Sequence, residues 1–288
     1  MIQARNKLSQ EELSEAKNLI NCCQAYDETY RDPYLSNMLN FDTNMPAFFL
    51  YYEKGELVGL LTVYADDPDV EVAILVHPNH RCQGIARALY RSFEKETASY
   101  PIESVTFQTE RIFLERHPDF ASNWGLVEDE ETETWLGKDR RPYPLANISN
   151  LEVLLADRSH QVQISQLKFQ AFSEEHESRE VVDRYVAKAL KDPESLLYIL
   201  LKNGQVIGTC TVDLSSNTNY LFGLAIAELE RGKGYGTYLA KTLINQLIEQ
   251  NDKAFQIAVE DSNLGAKRLY EKIGFVKQTQ VVYLKAKV

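Results

Sequence analysis

Two short segments set glycine beside basic residues in the same pattern: Arg231-Gly232-Lys233-Gly234-Tyr235-Gly236-Thr237 and Arg81-Cys82-Gln83-Gly84-Ile85-Ala86. Each follows an apolar run and precedes a stretch of helical periodicity. A loop that opens a helix offers unpaired backbone N–H groups and the positive end of the helix dipole, which together favour an anion. Gly232, Gly234 and Gly236 let the backbone approach that anion without Cβ collisions, and Arg231 and Lys233 add positive charge beside it. A pyrophosphate suits the pattern, and two common pyrophosphate loops do not match it. A Walker loop needs Gly-Lys followed by Ser or Thr and a wider glycine spacing. A dinucleotide fingerprint needs glycine where Thr237 stands, after the first strand of a parallel unit. ATP and NAD are therefore disfavoured.

The elements that position these loops occur twice, at a period of about 150 residues. Phe48 to Tyr52 leads through Lys54-Gly55 into Leu57 to Val63, and Leu197 to Leu201 leads through Asn203-Gly204 into Val206 to Val212; both read as β-hairpins. The apolar runs Val72 to Val76 and Leu221 to Ile226 read as strands covered on both faces. After each loop, Ile85, Ala86, Leu89 and Phe93, or Leu239, Ala240, Leu243, Ile244, Leu247 and Ile248, mark one buried helical face. A strand follows (Val105 to Thr109; Phe255 to Val259), and each copy closes on a glycine, Gly125 or Gly274, before a last pair of strands. Upstream of the hairpins the pattern predicts helices over Glu11 to Tyr26 and Asp32 to Leu39, then over Ser159 to Phe172 and Arg179 to Leu190. The proline-broken stretch Arg140 to Pro144 reads as the linker between domains 1–143 and 144–288.

With the loops and their setting described, the chain resembles the GNAT superfamily of N-acetyltransferases, whose acetyl-coenzyme A loop reads Arg/Gln-x-x-Gly-x-Gly/Ala. Arg231, Gly234 and Gly236 match it, as do Arg81, Gly84 and Ala86. The run from Asn263 to Phe275 resembles the family's closing segment, in which the Asn contacts the cofactor arm and the Tyr, here Tyr270, protonates the departing thiolate. The resemblance covers essentially the whole chain and is fuller in the second copy. It implies an α/β fold of the α+β type, two tandem domains each with a mixed, mostly antiparallel central sheet flanked by helices. It also implies acetyl-coenzyme A as donor, direct transfer to an amine without a covalent enzyme intermediate, and no metal.

Such a transfer needs a neutral amine, stabilisation of a transient oxyanion and a proton for the leaving sulfur. Tyr270 suits the last, since a phenol pKa of about 10 lies near a thiol's roughly 8.5; as a core aromatic it would pack with Leu269 and Ile273. Asn263 serves either as cofactor contact or as N-cap of its helix, and the two are compatible. Leu224 and Ile226 offer backbone groups to the cofactor arm, their side chains belonging to the core. Where many members carry a base Glu, about eleven residues before the loop's Arg, this copy has Tyr220. Asp213 and Glu228 are the remaining acids, each also readable as a solvated strand-end residue. The first copy reverses the pattern: Glu71 sits near the base position, while Ala121 aligns with Tyr270 and nothing matches Asn263. His77 and His80 flank its loop as surface residues. The second copy is thus the expected catalytic one, the first a degenerate partner that retains a cofactor loop. A coenzyme A-binding sensor without turnover is the alternative, and activity in the first copy through Glu71 a third.

The net charge of −11 argues against a nucleic-acid partner and suits a small-molecule or peptide amine. No run of roughly 18 to 20 apolar residues is present, so a membrane span is not expected and the chain reads as cytoplasmic. Cys22, Cys23, Cys82 and Cys210 lack metal-ligand spacing and read as free thiols.

Overall fold

A computed structural model describes residues 1–145, 148–172 and 179–287. In the first repeat the elements are β1 (Ile2–Arg5), α1 (Gln10–Asp27), β2 (Phe48–Glu53), β3 (Glu56–Tyr64), β4 (Asp69–Val76), α2 (Ile85–Thr97), β5 (Ser104–Glu110), α3 (Arg111–Arg116), α4 (Phe120–Trp124) and β6 (Leu126–Lys138). The second repeat runs through β7 (Leu151–Leu155), α5 (Gln161–Phe172), α6 (Arg179–Ala189), β8 (Ser195–Lys202), β9 (Gln205–Asp213), β10 (Asn219–Ile226), α7 (Tyr235–Gln250), β11 (Phe255–Glu260), α8 (Leu264–Lys272) and β12 (Val276–Ala286). The fold is the expected mixed one, the strand pairs whose register is described being antiparallel except β4–β5 and β10–β11.

By packing, the chain forms two units, Met1–Trp135 with Gln278–Val288, and Leu136–Lys277. The last strand of the second repeat therefore belongs to the first unit: β12 pairs antiparallel with β5, Val282 opposite Thr109 and Leu284 opposite Phe107. Val282 and Leu284 are fully buried in that unit's core beside Phe49, Leu60 and Leu89. At roughly 1.5–3 kcal/mol per buried aliphatic side chain, this strand carries several kcal/mol of the first unit's stability. Leu136, at the end of β6, is buried in the second unit's core instead. Each repeat closes on one long strand after its glycine, β6 or β12, rather than on a pair.

Strand order in the first unit is β1-β2-β3-β4-β5-β12-β6 and in the second β11-β10-β9-β8-β7. The edge strands β1 and β7 escaped the sequence pattern because they are only four and five residues long and nowhere fully apolar. Helix α1 starts on a capping box, the Ser9 hydroxyl accepting from Glu12 N at 3.1 Å and the Glu12 carboxylate from Ser9 N at 2.8 Å. The helix predicted over Asp32 to Leu39 does not form. Pro33 turns Asp32 away from helical dihedrals. Polar side chains then bind the backbone instead: Asn37 Nδ2 donates to Thr43 O, and Asn40 accepts from Ala65 N while donating to Val63 O.

On α7, Leu239, Ala240, Leu243, Ile244 and Leu247 are all fully buried against the β9–β10 face that holds Cys210, Val212 and Leu221. Helix α5 packs on β9 and β10 as well, with Ile164, Leu167 and Lys168 turned inward. No helix among the described residues is long and apolar enough to cross a membrane.

Candidate active site

Both loops form as anticipated, each as a short turn delivering a glycine that caps the next helix. Gly234 caps α7 at φ 85° and Gly84 caps α2 at φ 83°. Gly232 also takes a left-handed backbone, φ 74°, but the residue in its place in the first unit is Cys82, at φ 60°. A side chain there costs about 1–2 kcal/mol. A Cβ built on Gly232 or Gly234 would meet no protein atom within 4 Å, so the space above the loop is open. Arg231 and Arg81 both donate Nε to the strand before them, to Ile226 O and Val76 O at 3.0 Å. Their forks differ. Arg81 gives both Nη groups to the buried Asp27 carboxylate at 2.7 and 2.6 Å and lies on the Tyr26 ring, whereas Arg231 is exposed and meets no carboxylate among the described residues.

Other sequence candidates fall as follows. Lys233 folds back on its own turn, donating to Leu229 O at 2.6 Å and Glu230 at 3.0 Å; an exposed ion pair of this kind is weak and leaves Nζ available to an incoming anion. Tyr235 and Thr237 are partly buried in the first turn of α7, with Lys202 over the Tyr235 ring. Gly236 is a packing glycine: a Cβ there would lie 3.1 Å from Leu269, so α8 sits close against the loop's helix. Ala86 is partly buried, and Gln83 is exposed with a long contact to Asn79 O. Glu228 stands exposed on the turn before the loop. His77 accepts from Asn79 N and His80 pairs with Glu53, as surface loop residues do.

Asn263 caps α8, its side chain accepting from Ala266 N at 3.0 Å. Tyr270, about two turns further on, is 5% exposed and packs edge-on to Phe275. Burial pushes its phenol well above the ordinary range, with the nearby Cys210 thiol adding to the shift, so it is protonated at every working pH.

The decisive difference between the units lies in the strand before the loop. In the first, β3 and β4 pair without interruption from Gly59–Val76 to Tyr64–Glu71. In the second, Phe222 faces Thr211 and Ala225 faces Thr209, so Gly223 and Leu224 together stand where one residue would, a bulge with Gly223 at φ 58°. The bulge opens backbone groups on β10 midway between Tyr220 and the loop. By register Tyr220, opposite Asp213, is the counterpart of Glu71, opposite Tyr64.

Asp213 is buried, its carboxylate accepting from Ser215 N at 3.1 Å and Ser215 Oγ at 2.9 Å. Burial pushes its pKa up to about 6, against those two hydrogen bonds. Glu71 is pushed up to about 7 by burial, opposed by Arg31 and reinforced by Glu133, and it accepts from Gln108. Ile226 buries its side chain with the α7 core, and Leu224 packs against that core partly buried. Lys168, overlooked in the sequence, lies 6% exposed below the bulge and donates to Thr211 Oγ1 at 3.3 Å. Its signal was there: Lys168 follows Ile164 and Leu167 on the inward stripe of α5, where a charge is out of place. No cluster of His, Cys, Asp or Glu among the described residues could hold a metal ion.

Comparison with known proteins agrees with the tandem fold. The sequence profile described as "Acetyltransferase (GNAT) family" matches residues 13–138 and again 162–275. Mycothiol acetyltransferase of Clavibacter sepedonicus is 23% identical over 227 residues, 76% of this chain and 73% of that protein. Among solved structures, a GCN5-related N-acetyltransferase from Sphaerobacter thermophilus superposes with a TM-score of 0.70 at 16% identity, covering 99% of this chain and 94% of the other. A tandem GNAT protein from the clavulanic acid biosynthesis pathway gives 0.69 at 16% identity, with 100% and 99% covered. Members of the matched family use acetyl-coenzyme A as donor. The chain belongs to the GNAT acetyltransferase family, as an acyltransferase built from two tandem copies of its fold.

Proposed function

We propose that the second unit is an acetyl-coenzyme A-dependent N-acetyltransferase that passes the acetyl group directly to an amine, with Tyr270 as general acid. The bulge at Gly223 carries this reading: the first unit's β4 has no such break in its pairing, so only β10 offers strand backbone to the amide-rich arm and thioester of the donor. The pyrophosphate rests on the N–H groups from Gly232 to Gly236, with Arg231 beside it. Asn263 and Thr237 flank the arm. Attack of the neutral amine on the thioester carbon forms the C–N bond, the C–S bond breaks, and the sulfur takes the Tyr270 proton. The acceptor's own proton goes to Asp213, directly or through water; Glu228, exposed on the turn, is the weaker candidate.

The acceptor is a small-molecule or peptide amine, and the first unit binds donor without turnover. Following thiol release with acetyl-coenzyme A and a panel of amines tests the activity. Acceleration by at least one amine is expected. Cofactor binding without acceleration by any amine would instead favour a coenzyme A sensor.

Asp213 makes the pH dependence specific. Its folded pKa is raised, so the folded state holds this proton more tightly than the unfolded chain between about pH 4 and pH 6, and stability from this group falls as pH rises through that window. In Asp213→Asn the penalty is gone. Urea denaturation at pH 4 and pH 7 is expected to show the variant gaining about 3 kcal/mol relative to wild type between the two. The wild-type kcat/KM is expected to fall on the acid side near pH 6, and this limb disappears in the variant together with most of the activity.

A further inference from the structure

The second unit buries a lysine for which the reaction above has no use. Lys168 reaches from α5 to the bulge: its Nζ lies 2.7 Å from where a Cβ on Gly223 would stand, so glycine at 223 is what admits it. Among the described residues it also meets Thr211 Oγ1 at 3.3 Å and the Tyr185 ring, 5.4 Å to the centroid, with the Cys210 thiol near enough to act on its charge. No carboxylate pairs with it among the described residues. Burying an ammonium in this way costs free energy, so the group is biased toward the neutral amine, with burial drawing its pKa down to about 8. About one molecule in ten then carries a nucleophilic amine at neutral pH. Gly223 and Leu224 beside it are partly exposed, so the bulge is reached from outside.

We propose that Lys168 is a self-acetylation site, taking the acetyl group of bound acetyl-coenzyme A when no amine acceptor is present. The proposal rests on the reading that the second unit binds this thioester along β10. The nitrogen lone pair forms the C–N bond to the carbonyl carbon and the C–S bond breaks with its electrons going to sulfur. The proton shed by the nitrogen replaces the one that Tyr270 gives the thiolate. The products are Nε-acetyllysine and coenzyme A thiol. Holding amine and thioester in one site replaces a bimolecular encounter by an intramolecular one, which favours this lysine over any on the surface. The acetylated side chain has lost its charge and fills the acceptor side of the bulge, so the enzyme silences itself when acceptor is scarce.

Incubating the full chain with acetyl-coenzyme A alone, then measuring intact mass and peptide masses, tests this. One acetyl group per chain is expected on the Lys168 peptide, with labelling roughly tenfold or more above that of Lys95, whose side chain is 82% exposed and serves as the internal control. Lys168→Arg should remove the intact-mass shift. Calorimetry on the same samples separates the two claims. Binding of the cofactor with Lys168 labelled no more than Lys95 overturns the proposal alone; absence of cofactor binding overturns the acetyltransferase reading and this proposal with it.

Discussion

Tyr270→Phe is expected to slow acetyl transfer by about 100-fold or more, the usual range for loss of a general acid being 10²–10⁴. The loss should fall on the chemical step and leave cofactor affinity unchanged. Three features separate this from a folding defect. The ring is what packs against Phe275 and Ile273, and phenylalanine keeps it. The hydroxyl has no hydrogen bond among the described residues, so its removal orphans no partner and stability should move by no more than about 0.5 kcal/mol. Burial keeps the phenol protonated far above neutrality, so wild type has no alkaline limb from this group below pH about 10. Single-turnover thiol release with a true acceptor, beside thermal denaturation, reads both quantities. An unimpaired rate would remove Tyr270 from the mechanism.

Gly234→Val should weaken cofactor binding by about 10- to 100-fold, the equivalent of one or two lost charge-assisted hydrogen bonds. Valine at φ 85° also strains the backbone by about 1–2 kcal/mol or more, yet its Cβ meets no protein atom. What it would obstruct is the open space above the loop, which the proposed cofactor site needs. Gly84→Val imposes the same strain at φ 83° on the first unit's loop, and so controls for it. Turnover should suffer at least tenfold less from Gly84→Val, because that loop follows an unbroken strand and its arginine is already held by Asp27. Calorimetry and thiol release on both variants decide the matter. A Gly84→Val protein that loses transfer while Gly234→Val retains it would move the chemistry to the first unit, where Glu71, its pKa raised to about 7, is placed to act as a base.

Much of this is legible in the sequence, because the loops, hairpins and helices are written in local patterns. Period-2 and period-3.6 apolar spacing gave the strands and helices around both loops. The glycines that mark both loops in the chain stand in those loops, and Gly84, Gly232 and Gly234 take left-handed backbone there. Even the bulge left a trace: the run from Leu221 to Ile226 is one residue longer than its counterpart from Val72 to Val76, and the added residue accompanies a glycine. The failures were non-local or involved competing side-chain bonds. Asp32 to Leu39 shows helical spacing of apolar residues, but Pro33 and the asparagine bonds to distant backbone outweigh it. Asp27 and Arg81 are 54 residues apart, and no spacing rule joins them.

What the sequence determined by itself is the duplication, the two glycine loops, and the restriction of Asn263 and Tyr270 to the second copy, since each rests on residues adjacent or periodic along the chain. Three things only the tertiary structure decided. The last strand leaves its own repeat to complete the first unit's sheet, a choice made by edge pairing with β5 and by the burial of Val282 and Leu284. The arginine of the first loop is neutralised by a carboxylate on another helix. Lys168 meets the Gly223 bulge, where loss of water and a single weak hydrogen bond change the chemistry of an ordinary lysine. In each case the cause is which groups lose solvent together, and that is set by packing between segments far apart in the chain.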